Sequence, residues 1–338
     1  MDRHRARPDA PFGERVPAAL RTAVLALGAI VAACSSPPAS PAPSGSSSPL
    51  AAATATPSVA APAAATPGGT SGTPAAICVG PEVDWEALPP VAQAYGKAWN
   101  ERDGAARLRL LEQAWADDGS YVDPTMDAPV TGRRPFAEII GAFLADRPGV
   151  YFEPSEWIAS DLHHGYVQMR WRMCGPDHDV VLEGVDFGEL DAGGRLQRST
   201  GFFAFETEQA RPVCAPPGGD WSGIPEIARK WAATTVSDAR TRVALLQEIF
   251  AHDGSYVDPS DEKPVVGYGA LEARVAGMLW EGAFFEAAAW AAEDSHHDYL
   301  RLRWRLCDQD APGLEGTDYV ELNDAGRFLR VIGFFEWP

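Results

Sequence analysis

The sequence predicts an α+β protein made of two copies of one unit, each with helices first and an antiparallel sheet after them. Three observations predict it. The heptapeptide DGSYVDP stands at Asp118 to Pro124 and returns letter for letter at Asp253 to Pro259. Other landmarks keep their order in both halves: Trp85 and Trp221, His163-His164 and His296-His297, RWRMC and RWRLC, EGVDF and EGTDY, TGFF and IGFF. Within each half the apolar period falls from that of a helix to two, the alternation of a half-buried strand. A chain of 338 residues has room for two such units.

In the first copy, Pro90 to Trp99 carries Val91, Tyr95 and Ala98 at helical spacing, and Ala105 to Trp115 carries Leu108, Leu111 and Trp115. Asp118-Gly119 reads as the end of that second helix, with Gly119 suited to the left-handed residue that follows a helix. A short strand, Ser120 to Val122, is stopped by Pro124. Gly132 and Pro135 open a third helix with Phe136, Ile139, Ile140 and Phe143 on one side. Four runs of period two follow, Val150 to Ile158, Tyr166 to Cys174, Val180 to Leu190 and Leu196 to Phe205.

The duplication allows a test of facing. Around Asp186 the even positions are Leu182, Gly184, Gly188 and Leu190, and around Asp318 they are Leu314, Gly316, Val320 and Leu322, so both aspartates belong to the apolar face. Glycines in Leu190 to Arg195 and Leu322 to Arg327 predict type I turns with a bulge, which set Leu190 opposite Leu196. Strict alternation then turns Leu196, Arg198, Thr200 and Phe202 inward, and likewise Phe328, Arg330, Ile332 and Phe334. Arg198 is expected diagonal to Asp186 and Arg330 to Asp318, within reach of an ion pair. Such a pair either closes the core structurally or forms a cavity floor where the aspartate binds a ligand or acts as a base. Trp171 and Trp304 share the inward face, while Arg170, Arg172, Arg303 and Arg305 face out beside Glu183, Glu189, Glu315 and Glu321. Tyr121 and Asp123, with Tyr256 and Asp258, are left over after turn chemistry is accounted for and are candidates for a pocket mouth. Each His pair is expected at a turn or pocket rim through His163 and His296, because adjacent strand residues point to opposite faces and do not share one metal ion. No metal and no cofactor are expected.

Three helices and then a long curved sheet, with WNxRD, DxSYVDP followed by GR, and ELDxxGRL before GFF, resemble the nuclear transport factor 2-like superfamily, in particular its SnoaL-like branch. The resemblance covers both copies. It implies two tandem cone-shaped domains, each with N-terminal helices packed on a curved antiparallel sheet, and a pairing of the sheets that makes the chain its own pseudo-dimer. The scaffold hosts isomerases, dehydratases, cyclases and pure binding domains, so it does not choose the function.

The N-terminal 33 residues combine five arginines with the apolar run AVLALGAIVAA, which is too short to span a bilayer and has the length of a signal-peptide core. VAAC at Val31 to Cys34 resembles a bacterial lipobox and implies a lipid on Cys34. Residues 34–77 are rich in Ser, Pro, Ala and Thr and read as a disordered tether. The first domain is expected over 78–206, a linker over 207–213 and the second domain over 214–338. Of the formal charge of −19, the first 33 residues hold five basic and three acidic side chains, so the rest stands at −21. A body this acidic repels nucleic acid and anionic lipid, so the only expected membrane contact is through Cys34. Five cysteines leave one over after pairing. Each copy owns an early and a late one, predicting Cys78 with Cys174 and Cys214 with Cys307. Each bridge closes a loop of nearly a hundred residues, worth about 4 kcal/mol on chain-entropy grounds. The expected function is envelope-anchored binding of a small apolar or amphipathic molecule without catalysis. The alternatives are an isomerase, cyclase or dehydratase with Asp186 and Asp318 as bases, and an envelope scaffold with filled pockets.

Overall fold

The computed structural model describes residues 78–80, 83–203, 214, 223–278, 283–308 and 311–335. The predicted signal, the tether, Cys34 and the whole predicted linker lie outside the described residues. In the first domain, α1 (Pro90–Ala98) and α2 (Gly104–Ala114) precede β1 (Trp115–Val122) and β2 (Val130–Thr131), and α3 (Arg133–Asp146) follows. Then come β3 (Tyr151–Glu156), β4 (Leu162–His163), β5 (Tyr166–Cys174), β6 (Val180–Leu190) and β7 (Leu196–Phe203). The second domain repeats this with α4 (Glu226–Val236), α5 (Ala239–Ile249), β8 (Phe250–Val257), β9 (Val265–Val266), α6 (Tyr268–Met278), β10 (Phe284–Ala289) and β11 (Ser295–His296). It ends with β12 (Tyr299–Asp308), β13 (Ala311–Leu322) and β14 (Phe328–Phe335). Asp103 and Asp238 start α2 and α5 by accepting hydrogen bonds from backbone N–H groups of the first turn. The sheets run β2-β1-β7-β6-β5-β3 and β9-β8-β14-β13-β12-β10, with β4 on β5 and β11 on β12. The architecture is α+β, with helices packed on one face of each sheet.

β1 is longer than the predicted Ser120 to Val122 and pairs in parallel with β7, so each sheet is mixed rather than wholly antiparallel. The helix stops at Ala114, and Asp118-Gly119 lies within the strand. Gly119 is therefore no helix cap. A Cβ there would sit 2.6 Å from Trp115 Nε1 and 2.8 Å from the Leu196 carbonyl oxygen, so β1 and β7 come together only over a glycine. Part of the heptapeptide's repetition has this origin, since Gly254 meets the Phe328 carbonyl oxygen at 2.7 Å in the same way.

Disulfides join Cys78 to Cys174 and Cys214 to Cys307. Between the domains the outer faces of the sheets meet over Phe187, Phe202, Tyr319, Ile332 and Phe334, with Phe187 stacked on Tyr319 at 4.6 Å. The arginines of the last strands belong here. Arg198 pairs with Glu189 on its own sheet and reaches Glu321 of the other domain at 3.1 Å, and Arg330 pairs with Glu321 and reaches Glu189 at 3.1 Å. The predicted Asp186–Arg198 and Asp318–Arg330 pairs are thus absent. Leu190 does lie opposite Leu196, but Glu189 lies opposite Arg198, so Gln197 is an extra residue, as is Leu329 in the second domain. A one-residue bulge sends every later side chain to the opposite face. No helix among the described residues is long and apolar enough to cross a membrane.

Candidate ligand-binding site

The first domain contains a cavity of about 400 Å³ between its helices and the inner face of its sheet. This size falls within the roughly 300–1,000 Å³ of small-molecule sites. Its walls are aromatic and aliphatic, with Trp85, Trp99, Phe143, Phe152, Trp157 and Met169 among them, and it is also lined by Tyr95, Tyr121, Asp123, Trp171 and Asp186.

Asp186 points inward from β6, as the parity of that strand predicts, and is 3% exposed. Its companions are neutral donors: the Tyr95 hydroxyl donates at 2.6 Å and the Trp171 indole N–H at 3.2 Å. Burial is the main reason its carboxyl is pushed up to about 6, the nearby Asp123 adds to this, and the two donors oppose it. Asp123, 9% exposed, accepts from the Thr125 hydroxyl at 2.6 Å and the Thr125 N–H at 2.8 Å. Burial raises its carboxyl above the usual range as well. The phenols of Tyr95 and Tyr121 are pushed well up, first by burial and then by these carboxylates, and stay neutral. Gly201 on β7 makes the cluster compact. A Cβ there would lie 2.9 Å from the Tyr121 hydroxyl, 3.0 Å from Asp186 Oδ1 and 3.2 Å from Asp123 Cβ. Glu153, another acid at the wall, is committed to the N–H groups of Val79 at 2.9 Å and Gly80 at 3.1 Å.

The second domain holds the same carboxylates differently. Asp318, 1% exposed and also pushed up to about 6 by burial, accepts from two indoles, Trp231 at 2.9 Å and Trp304 at 3.0 Å. Asp258 accepts from the Tyr256 hydroxyl at 3.0 Å and pairs with the Arg274 guanidinium. The two domains therefore do not surround the repeated carboxylates alike: Arg274 stands in α6 where α3 has Ile139.

His163 and His296 lie at the domain interface, not at the cavity. His163 Nε2 is 3.0 Å from the Gly333 carbonyl oxygen and His296 Nε2 3.0 Å from that of Gly201. Both imidazoles are pushed down to about 4, chiefly by burial, and stay neutral near pH 7. Of the ligand-binding candidates, Tyr121, Asp123, Trp171 and Asp186 meet at one cavity, while Arg198, Arg330, His163 and His296 do not. Tyr256, Asp258, Trp304 and Asp318 form the corresponding cluster of the second domain. Sequence reasoning missed Tyr95, whose helical spacing marked it only as part of an apolar stripe.

Residues 91–199 match the family model described as SnoaL-like domain. The chain belongs to the SnoaL-like family through this segment. Similar solved structures include a candidate isomerase of that family from Agrobacterium tumefaciens str. C58, with 35% identity over 33% of this chain and 93% of that one and a TM-score of 0.31. Another is a candidate polyketide cyclase from Sinorhizobium meliloti, with 19% identity over 35% of this chain and 98% of that one and a TM-score of 0.28. A third is an NTF2-like protein of unknown function from Exiguobacterium sp. 255-15, with 16% identity, coverage of 32% and 98%, and a TM-score of 0.27. No curated protein matches the chain.

Proposed function

We propose that the first domain binds a compact, largely apolar small molecule with one polar end, and that the protein presents it outside the cytoplasm from a lipid anchor on Cys34. The observation that carries the binding reading is the aromatic cavity of about 400 Å³ with the Asp186 and Asp123 carboxylates facing it. Buried acids open to a cavity, with no Arg or Lys hydrogen-bonded to them among the described residues, are groups that a ligand's polar end satisfies. The two disulfides support an oxidising compartment. Native mass spectrometry of the full mature chain tests this. One small molecule per chain is expected, and it should be lost from Asp186→Asn and retained by Asp318→Asn; equal retention by both variants contradicts the assignment.

A proton-transfer enzyme is the second reading, and Tyr95 favours it. A hydroxyl both donates and accepts, so Asp186 can gain and lose a proton without orphaning its neighbour, whereas the two indoles around Asp318 only donate. A carboxyl near 6 is suited to act as a base close to neutral pH. The base takes a proton from an acidic C–H of the ligand, the bonding pair moves to an adjoining carbonyl oxygen, and the proton returns to carbon. Deuterium in ligand recovered after incubation in heavy water marks this reaction. Unlabelled ligand leaves binding alone.

A further inference from the structure

The two copies give the same carboxylate different partners. In the second domain the Arg274 guanidinium pairs with Asp258, donates to Ser260 Oγ at 2.9 Å and to Asp261 at 2.8 Å, and lies 5.8 Å from the Tyr256 ring centroid. Arg274 stands on α6 at the same distance along the chain from Gly267 (φ 88°) as Ile139 stands on α3 from Gly132 (φ 95°). The heptapeptide is identical in both copies, so Tyr121 and Asp123 present the same ring and the same carboxylate, but α3 brings no cation to them. Instead Ile139, Tyr121, Asp123 and Thr125 line the open cavity. A seat that the chain fills with its own guanidinium in one domain stands open in the other.

We propose that the ligand of the first domain carries an organic cation, an alkylated ammonium or a guanidinium on a compact apolar body, with its charge between the Asp123 carboxylate and the Tyr121 and Trp99 rings. This rests on the cavity being a ligand site, as proposed above, and adds the ligand's chemical class. Charge is the first support. Asp123 and Asp186 share the cavity, and among the described residues no Arg or Lys hydrogen-bonds either. The guanidinium at the wall, Arg170, is spent on Asp161 at 2.8 Å. The imidazole of His297 acts on Asp123 through space, a minor influence beside burial, and Asp186 has no cation beside it among the described residues, so a ligand cation balances the buried carboxylates better than a neutral ligand does and an anion is repelled. The rings are the second support: Trp99 and Tyr121, tilted against each other at 6.0 Å and 60°, both line the cavity that Asp123 also lines, so a cation there would meet aromatic rings beside a carboxylate. The net charge of −19 acts in the same direction, raising the concentration of cations near an acidic cleft.

Tryptophan fluorescence of the full mature chain, titrated with benzyltrimethylammonium and with its uncharged carbon isostere neopentylbenzene, tests the proposal. The cation is expected to bind at one site per chain at least tenfold more tightly than the isostere. Asp123→Asn should weaken the cation at least tenfold while leaving the isostere unchanged. Ile139→Arg, which brings in the second domain's own guanidinium, should abolish cation binding with the melting temperature kept or raised. Equal binding of cation and isostere overturns the charge assignment and leaves the cavity reading standing. Binding of neither probe overturns both, and undiminished cation binding by Asp123→Asn overturns the seat.

Discussion

Replacing Asp186 by Asn should stabilise the protein at neutral pH while disabling the site. Asp186 is 3% exposed, and its carboxyl stands at about 6 against an ordinary 3.8. Two pH units correspond to about 3 kcal/mol, an upper figure because a buried site relaxes. The sign follows from the direction of the shift. A carboxyl that holds its proton more tightly when folded favours the native state fully below its unfolded value, and the advantage is lost as pH climbs through about 6. Asn carries no such dependence. It also keeps both hydrogen bonds, with its oxygen accepting from Trp171 and its amide donating to the Tyr95 hydroxyl, which can turn to accept. Between about pH 4 and about pH 7.5 the wild type should therefore lose up to about 3 kcal/mol relative to the variant, on the order of 6–12 °C in Tm for a body of this size. Calorimetric melts of both proteins at the two pH values read this directly. A variant less stable than wild type at the higher pH, or a gap that does not change with pH, refutes the reasoning.

Asp318→Asn removes a comparable ionisation penalty but turns one indole N–H toward an amide –NH₂, a loss of about 1–3 kcal/mol. Its gain at neutral pH should be smaller than that of Asp186→Asn, and equal gains count against the donor-only role of Trp231 and Trp304. Gly201→Ala places a methyl within 3.2 Å of Tyr121, Asp186 and Asp123, and should weaken ligand binding while helical circular dichroism is kept; unaltered binding shows that the cluster does not need that close approach. Arg198→Ala with Arg330→Ala leaves Glu189 and Glu321 facing each other across the domain interface without their cations. A loss of about 1–2 kcal/mol is expected, since these groups are partly solvated. Faster proteolytic cleavage between the domains should accompany it, and an unchanged cleavage rate argues against the four-charge contact holding them together.

Much of the fold was legible because both periodicities are local. The strands Tyr166–Cys174 and Val180–Leu190 follow from alternation alone, the cysteine pairing follows from the repeat, and the inward turn of Asp186 follows from parity within one strand. The partner of Asp186 was not legible, because it required parity to be carried through a hairpin. Gln197 and Leu329 are unremarkable residues, yet each is the extra one that reverses the face of everything after it. Identical letters also concealed unequal roles. Both copies read SYVDP, and what separates them is Ile139 against Arg274 on a helix distant in sequence, and Tyr95 against Trp231 on another. Those differences were on the page, but only the third dimension shows that they converge on the repeated aspartates.

The measurement that bears most directly on the account is a pH titration of the Asp186 side-chain carboxyl carbon by NMR in the intact mature chain. A carboxylate held by a hydroxyl and an indole, with no guanidinium beside it, titrates at about 6. An inflection at or below the ordinary 3.8 is the signature of an arginine partner, and it contradicts an open acidic cavity in the first domain.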